Sequence, residues 1–174
     1  QGLADMAARA PFQPGVILPA GRDEQGRSKF TQLSFRQMNE LCDRYAHGLS
    51  KNGIERGQRV LLLIKPGAEL IAVCFALLKI GAAPVLIDPG MGRKAFLQCV
   101  GETAPEAIIA IPIAHFLRCL FPKPFRTAKH AFTVGRRRFP GALHLERCCP
   151  PEKKPFPVAA TTVEEEAAIA FTSG

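Results

Sequence analysis

Two short apolar runs bracket an almost wholly apolar segment near the middle of the chain. The runs are residues 60–64 and 84–87, and the segment between them, residues 69–80, is followed by Gly81. Neither run alternates apolar with polar residues, which is typical of parallel strands covered on both faces. A strand, a helix and a second strand within about thirty residues predict a βαβ unit.

The same alternation continues downstream. Helical periodicity over residues 95–102 and 114–121 alternates with short apolar runs at 107–111 and 131–134. Strands that alternate with helices build a doubly wound sheet with helices on its faces. The sequence therefore predicts an α/β fold, layered α/β/α, with a mostly parallel sheet.

An amphipathic helix is expected before the first of these strands. Ser34 and Gln37 form a capping-box pattern, apolar residues recur at helical spacing from Phe35 onward, and Gly53 marks the end. Residues 1–30 are rich in Pro, Gly, Ala and charge and show no periodicity. We therefore expect an irregular N-terminal arm over residues 1–30 and one domain over residues 31–174.

The basic excess of the chain lies in one segment. The net charge is +8, and residues 118–154 contain ten Lys or Arg and two Glu, whereas the rest balances at thirteen against thirteen. Arg136, Arg137 and Arg138 could mark a nucleic acid or an anionic membrane surface, but aromatic residues do not interleave with them. We expect a solvated, Pro-rich connection over residues 135–162 and no nucleic-acid partner.

Cysteine and hydropathy patterns bear on the compartment. The six cysteines include no C-x-x-C pair and no His at ligand spacing, so we do not expect a zinc site. We expect a reducing, cytoplasmic setting. Residues 70–87 are nearly long enough to span a bilayer. Lys79 lies within this window, and Gly81 and Pro84 interrupt it, so we expect no transmembrane segment.

The end of the chain carries the strongest functional pattern. An acidic run at residues 164–166 precedes an apolar strand at 167–171, and Thr172, Ser173 and Gly174 follow. A strand that opens into small hydroxyl and glycine residues is where backbone N–H groups approach phosphate oxygens. These three residues are therefore the candidate phosphate-binding site for a nucleotide, with no catalytic residue or metal ligand assigned, and we expect the chain to be part of a longer polypeptide.

Three stretches resemble the adenylate-forming (AMP-binding) superfamily, which includes acyl-CoA synthetases, luciferases and nonribosomal peptide adenylation domains. They are residues 33–60, residues 70–89 with their Asp-Pro turn, and residues 168–174, which are similar to the start of a phosphate loop that continues Ser-Thr-Gly, any residue, Pro-Lys-Gly. Residues 88–92 and 104–115 look most like the β-lactone synthetases of bacterial olefin biosynthesis, often labelled long-chain fatty-acid–CoA ligases.

The resemblance implies the N-terminal part of the large domain of such enzymes. It implies ATP-dependent formation of an acyl-adenylate from a fatty or β-hydroxy fatty acid, followed by thioester formation with coenzyme A or by β-lactone closure. ATP, bound at Thr172, Ser173 and Gly174, and Mg²⁺ are implied, as is coenzyme A where a thioester is formed. A carboxylic acid and the downstream remainder of the same chain are the implied partners. Because the other functional parts lie beyond Gly174, these 174 residues alone are expected to be inactive.

The sequence also leaves two other functions open. The basic segment leaves open a nucleic-acid-binding module, and the fold is compatible with a noncatalytic interaction module. His115 is interpreted as a surface or capping histidine rather than a base. Asp88 is interpreted as a strand-ending turn residue, with a binding role still open because it ends a strand of an α/β layer.

Overall fold

A six-stranded parallel sheet forms the centre of the protein. The computed structural model describes residues 2–151 and 154–172. In chain order the elements are α1 (Gly2–Arg9), β1 (Pro14–Arg22), β2 (Ser28–Ser34), α2 (Phe35–Lys51), β3 (Arg59–Leu63), α3 (Ala68–Ile80), β4 (Ala83–Ile87), α4 (Arg93–Thr103), β5 (Ala107–Ala110), α5 (Pro112–Leu120), β6 (His130–Thr133), β7 (Leu143–His144), α6 (Leu145–Cys148) and β8 (Ile169–Phe171).

The strand order is β7-β6-β5-β3-β4-β8, and all neighbouring strands in this sheet are parallel. The chain runs from β3 to β4, returns past β3 to β5, and continues outward to β6 and β7. This reversal defines a doubly wound sheet. The prediction of a layered α/β/α fold with a mostly parallel sheet is confirmed.

Both faces of the sheet are covered. Successive residues of β3 point to opposite sides: Val60 and Leu62 pack in a core with α2 and α3, while Leu61 packs in a second core with Val85 and Phe96. This explains why the strand reads as a continuous apolar run, since neither face meets water.

The two best-patterned helices begin and end where the sequence indicates. At the start of α2, the Gln37 N–H donates to Ser34 Oγ and the Ser34 N–H donates to Gln37 Oε1 over 2.9 Å, which completes the capping box. Gly81 ends α3 with φ +83°, a left-handed conformation that only glycine adopts without strain. The apolar window at 70–87 is thereby divided between α3 and β4. In the part of the chain that the structure describes, no helix combines the length and the apolarity needed to cross a membrane.

The prediction of an irregular arm over residues 1–30 is wrong. This segment forms α1 and an antiparallel hairpin of β1 and β2. The Asp23 carboxylate shapes the hairpin turn by accepting hydrogen bonds from the N–H groups of Gln25 and Arg27. The alternation expected of a strand is hidden because the pairing shifts between Pro14 and Val16 and again after Pro19, and because most side chains of the hairpin stay exposed.

The connection at residues 135–162 is more structured than predicted. It contains β7 at the edge of the sheet and α6, and the side chain of Leu145 is fully buried in the core under α2 and α3. A strand of two residues is too short to produce a recognisable pattern. Farther along, the Phe156 N–H donates to Asp43 Oδ1 over 3.1 Å, which attaches the connection to α2.

Candidate functional site

The carboxyl ends of β4 and β8 lie side by side at one edge of the sheet. Ile87 is the register partner of Phe171, and the Asp88 N–H donates to the Phe171 carbonyl oxygen over 3.1 Å. The parallel pairing therefore brings the Asp88 turn next to the point where the chain leaves β8. Loops at the carboxyl ends of parallel strands are where α/β proteins bind ligands.

Thr172 directly follows β8 at this edge and is exposed to solvent. Ser173 and Gly174, the other two residues predicted to contact phosphate, lie outside the described residues. The structure thus places the strand and the first hydroxyl residue of the predicted loop at the carboxyl edge of the sheet. Phosphate contact by Thr172, Ser173 and Gly174 stays a prediction.

Asp88 acts on its own turn. Its carboxylate accepts a hydrogen bond from the Gly90 N–H over 2.8 Å and caps a short 3₁₀ turn at Pro89–Met91. The interpretation of Asp88 as a strand-ending turn residue is confirmed. By holding this turn, Asp88 fixes where α4 begins.

The amino end of α4 makes this edge electropositive. Gly92 precedes the helix without a side-chain cap among the described residues, and Arg93 and Lys94 occupy the first turn. Helix amino ends carry a partial positive charge and unpaired N–H groups, so cations in the first turn add to that potential. The Arg93 guanidinium lies 5.6 Å from the Phe121 ring centroid. This combination favours a negatively charged ligand over a cation.

Two ion pairs hold the segment that leads into β8, at the opposite edge of the sheet. Arg56 contacts both carboxylate oxygens of Glu165, with Nη2–Oε1 at 2.5 Å and Nε–Oε2 at 2.9 Å. Arg59 contacts Glu166 in the same way, at 2.7 and 2.8 Å. Hydrogen bonding from Arg56 lowers the pKa of Glu165 to about 2, and Arg59 likewise lowers the pKa of Glu166.

These ion pairs were not predicted, because the sequence showed residues 164–166 only as an acidic run. The charges of the partners were visible, but Arg56 and Glu165 are 109 residues apart in the chain. Their pairing depends on β8 lying beside β4, which a local pattern does not specify. The pairs anchor the approach to the candidate loop.

His115 is buried, so its interpretation as a surface or capping histidine is wrong. Its Nε2 donates to the Phe132 carbonyl oxygen over 3.0 Å, and its ring stacks on Phe139 with 5.0 Å between centroids. Burial lowers the pKa of this imidazole. The ring therefore faces inward, toward β6. His115 links these two elements and does not meet the candidate loop's solvent-exposed edge.

A second polar cluster, also missed from the sequence, lies near the carboxyl ends of β3 and β6. Burial raises the pKa of Glu69, with repulsion from Glu146 in the same direction, while the Gly135 N–H and His144 oppose the rise. His144 Nε2 in turn donates to the Gly135 carbonyl oxygen over 2.7 Å. Two carboxylates make this cluster unsuited to phosphate. The start of α4, beside β4 and β8, instead carries two cations, Arg93 and Lys94.

The described residues also show whether the protein groups side chains that could bind a metal ion. Within residues 2–151 and 154–172, no three His, Cys, Asp or Glu side chains are grouped as a metal site. Asp88, the carboxylate beside the candidate loop, caps its own turn, and Glu165 and Glu166 pair with arginines at the opposite edge of the sheet. No Mg²⁺ ligand is therefore assigned among the described residues.

Comparison with known proteins gives a consistent result. The family model described as "AMP-binding enzyme" matches residues 14–174. An olefin beta-lactone synthetase of Stenotrophomonas maltophilia (strain K279a) is 39% identical over 175 residues, which cover 99% of this chain and 32% of that protein. A second, from Xanthomonas campestris pv. campestris, is 36% identical over 177 residues, covering 99% of this chain and 31% of its own length. The chain spans about a third of the length of these curated relatives.

Solved structures support the fold independently of sequence. The crystal structure of an anthranilate CoA ligase in complex with anthranoyl-AMP superposes with a TM-score of 0.77 at 17% identity, covering 99% of this chain and 32% of that one. At this identity the likeness is evidence for the fold alone.

Proposed function

The chain belongs to the AMP-binding enzyme family, and from this premise we propose that it forms part of an enzyme that activates a fatty acid or a β-hydroxy fatty acid with ATP. The product of this step is an acyl-adenylate. Thioester formation with coenzyme A or β-lactone closure would consume it. The proposal is carried by one observation: the parallel pairing of β8 with β4, which sets Thr172 at the carboxyl edge beside the Asp88 turn.

The reaction places defined demands on this edge. A substrate carboxylate oxygen attacks the α-phosphorus of ATP, the bond from that phosphorus to the bridging oxygen breaks, and pyrophosphate leaves with the electron pair. Negative charge is spread over the phosphoryl oxygens in the transition state, and donors already held in place stabilise it most effectively. Activation results because AMP is a better leaving group than hydroxide.

We assign the first part of the phosphate loop to Thr172, Ser173 and Gly174. The Thr and Ser side chains offer hydroxyl donors in addition to their backbone N–H groups, and Gly allows the backbone to approach phosphate without a side chain in the way. The electropositive start of α4 supports this assignment, because Arg93 and Lys94 add positive charge to the same edge.

Other parts of the proposal rest on the family. Mg²⁺ would neutralise phosphate charge when bound, but the described residues do not supply its ligands and we derive no step from it. We further propose residues 31–174 as the N-terminal part of the nucleotide-binding domain, preceded by residues 1–30. The six free cysteines support a cytoplasmic setting, since thiols persist in reducing compartments.

The 174 residues alone are proposed to be inactive. Only three residues match the phosphate loop, and the chain spans about a third of its curated relatives. Calorimetric titration with ATP should show no tight binding, and acid-dependent exchange between ATP and pyrophosphate should be absent. A robust exchange rate from the purified chain would refute this part of the proposal.

The activity itself is tested in the longest polypeptide that carries this sequence. We expect exchange between ATP and labelled pyrophosphate to depend on a long-chain β-hydroxy or unsubstituted fatty acid. Thr172→Ala and Ser173→Ala should each lower the exchange rate at least about tenfold, because each removes a donor to charged phosphate oxygens. Thr31→Ala, an exposed hydroxyl on β2, is the matched control and should leave the rate unchanged. Fatty-acid-independent exchange, or equal rates in all three variants, would contradict the assignment.

A further inference from the structure

One face of α5 exposes a row of large apolar side chains. Ile113, Phe116 and Leu120 are 72%, 57% and 69% exposed, and their spacing places them along one side of the helix. The opposite side packs inward through Ala114 and Leu117. A contiguous exposed apolar row is unusual on a folded surface and commonly marks a binding face. We refer to Ile113, Phe116 and Leu120 as the α5 ridge.

The arginine triplet at residues 136–138 is held next to this ridge. The Phe139 ring, which follows the triplet directly, packs edge-to-face on the Phe116 ring with 5.3 Å between centroids. On the far side of the same loop, Arg118 Nη2 donates to the Gly141 carbonyl oxygen over 3.3 Å. All three arginines of the triplet are exposed. The loop therefore presents its charges beside the apolar row.

The chain segment that contains the ridge and the triplet is strongly basic, and the carboxylates nearest the triplet are Glu69 and Glu146, which lie around Gly135. Between residues 107 and 145 the chain contains seven Lys or Arg and no Asp or Glu. Glu106, the nearest acidic residue before this stretch, accepts a hydrogen bond from the Arg59 N–H at the amino edge of the sheet, away from the start of α5. Arg93 of α4 adds a further cation near Phe121, just past the end of α5.

We propose that the α5 ridge and the arginine triplet form a docking surface for an anionic lipid bilayer. Interfacial helices bind membranes by placing apolar side chains at the boundary between headgroups and acyl chains while cations contact acidic lipids. A bilayer covers both features at once. A nucleic acid would satisfy the arginines but leave three apolar side chains uncovered. This inference does not require the proposed ATP chemistry, and Arg93 is the one residue whose charge is counted for both surfaces.

Vesicle sedimentation tests the proposal directly. The longest polypeptide that carries this sequence is mixed with vesicles of phosphatidylcholine alone or of phosphatidylcholine and phosphatidylglycerol at 3:1, and the bound fraction is measured. Binding by the isolated 174 residues but not by this polypeptide would show that the remainder of the chain covers the ridge and would overturn the proposal. We expect partitioning onto the anionic vesicles to be at least about tenfold stronger, and to weaken when salt is raised from about 0.1 M to 0.5 M. No sedimentation with anionic vesicles would overturn the proposal.

The apolar half is tested with the triple variant I113S/F116S/L120S. Loss of the ridge should weaken partitioning at least about tenfold, because the side chains that enter the bilayer are gone. Phe30→Ser is the matched control, since Phe30 is 65% exposed and belongs to the β1–β2 hairpin rather than to α5. The control should change partitioning less than about twofold. Equal effects of the control and the triple variant would overturn the assignment to α5.

The charged half is tested by replacing each arginine of the triplet with Gln. Attraction of three cations to an acidic leaflet predicts a decrease of about tenfold or more. The matched control removes three exposed cations from the N-terminal region with the changes R9Q, R22Q and K29Q. Urea midpoints equal to that of the parent chain exclude unfolding as the cause. If a single-stranded oligonucleotide binds tighter than the vesicles and only the arginine changes weaken it, the surface is a nucleic-acid site and the proposal fails.

Discussion

Lys79 and Asp43 form a buried ion pair whose removal should be costly. Their side chains are only 8% and 6% exposed, and Lys79 Nζ lies 2.5 Å from Asp43 Oδ1. Asn39 completes the group, since its Oδ1 accepts from Lys79 Nζ over 2.7 Å. Asp43 Oδ1 also accepts the Phe156 N–H. The pair therefore joins α2, α3 and the connection that leads to β8.

Lys79→Met leaves the Asp43 carboxylate buried with only neutral donors. Removing one member of a buried pair costs about 3–5 kcal/mol, chiefly because the remaining charge is desolvated without compensation. We expect the free energy of unfolding to fall by this amount for Lys79→Met. Asp43→Asn should lower the free energy of unfolding by a similar amount, because the Lys79 ammonium then contacts only amide oxygens. In the double variant no charge is left unpaired, so the combined loss should be at least about 2 kcal/mol smaller than the sum of the two single losses.

Urea unfolding followed by circular dichroism measures these differences, with an unchanged denaturant slope as evidence that the unfolding reaction is the same. Lys51→Met is the matched control, because Lys51 is an exposed residue at the end of α2 and its loss should change stability by less than about 0.5 kcal/mol. Single losses below about 1 kcal/mol, or losses that simply add in the double variant, would refute the reasoning.

Three further predictions concern other parts of the fold. Gly81→Ala should lower the free energy of unfolding by more than the approximately 1 kcal/mol expected for Gly57→Ala. Both glycines have φ near +80°, but a Cβ on Gly81 would lie 3.0 Å from Arg56 Cγ whereas one on Gly57 meets open space, so equal urea midpoints would contradict the packing argument. Because burial lowers the pKa of His115, its contribution to stability is present above about pH 6.5 and is lost as the pH falls. His115→Gln should therefore reduce the decrease in urea midpoint between pH 7.5 and 5.5. If the decrease is unchanged, groups other than His115 cause it. Exposed Cys119 should react fastest with a thiol reagent, while burial, which raises the pKa of Cys42 to about 12, should make that thiol slowest; mass spectrometry of the labelled peptides identifies the order.

Much of the sheet could be predicted because its strands carry local evidence. The run at β3 is apolar throughout since both of its faces are buried, and the capping box at Ser34 and Gln37 marks the start of α2 within the sequence itself. The hairpin of β1 and β2 lacked such evidence. Its shifted pairing and exposed side chains remove the alternation on which strand prediction depends.

The candidate site was only partly predictable for a related reason. Thr172 could be placed at the end of a strand, but its proximity to the Asp88 turn depends on β8 pairing with β4 across about eighty residues. The same long-range pairing brings Glu165 to Arg56. His115 was misplaced because the face that a short helix turns toward the sheet depends on how α5 packs on β6, and not on the spacing of its own residues.

Because β8 is short, the two ion pairs that precede it help to set its register against β4. A strand advances about 3.3 Å per residue, so a slip of one residue against β4 would move Thr172 by more than the length of a hydrogen bond. The same slip would turn Ile169 and Phe171 away from the core that they now contact, because side chains alternate between faces. With three residues in the strand, few backbone bonds resist this sliding. Glu165 and Glu166, paired with Arg56 and Arg59, fix the position of the strand along its own axis and so the position of Thr172 at its end.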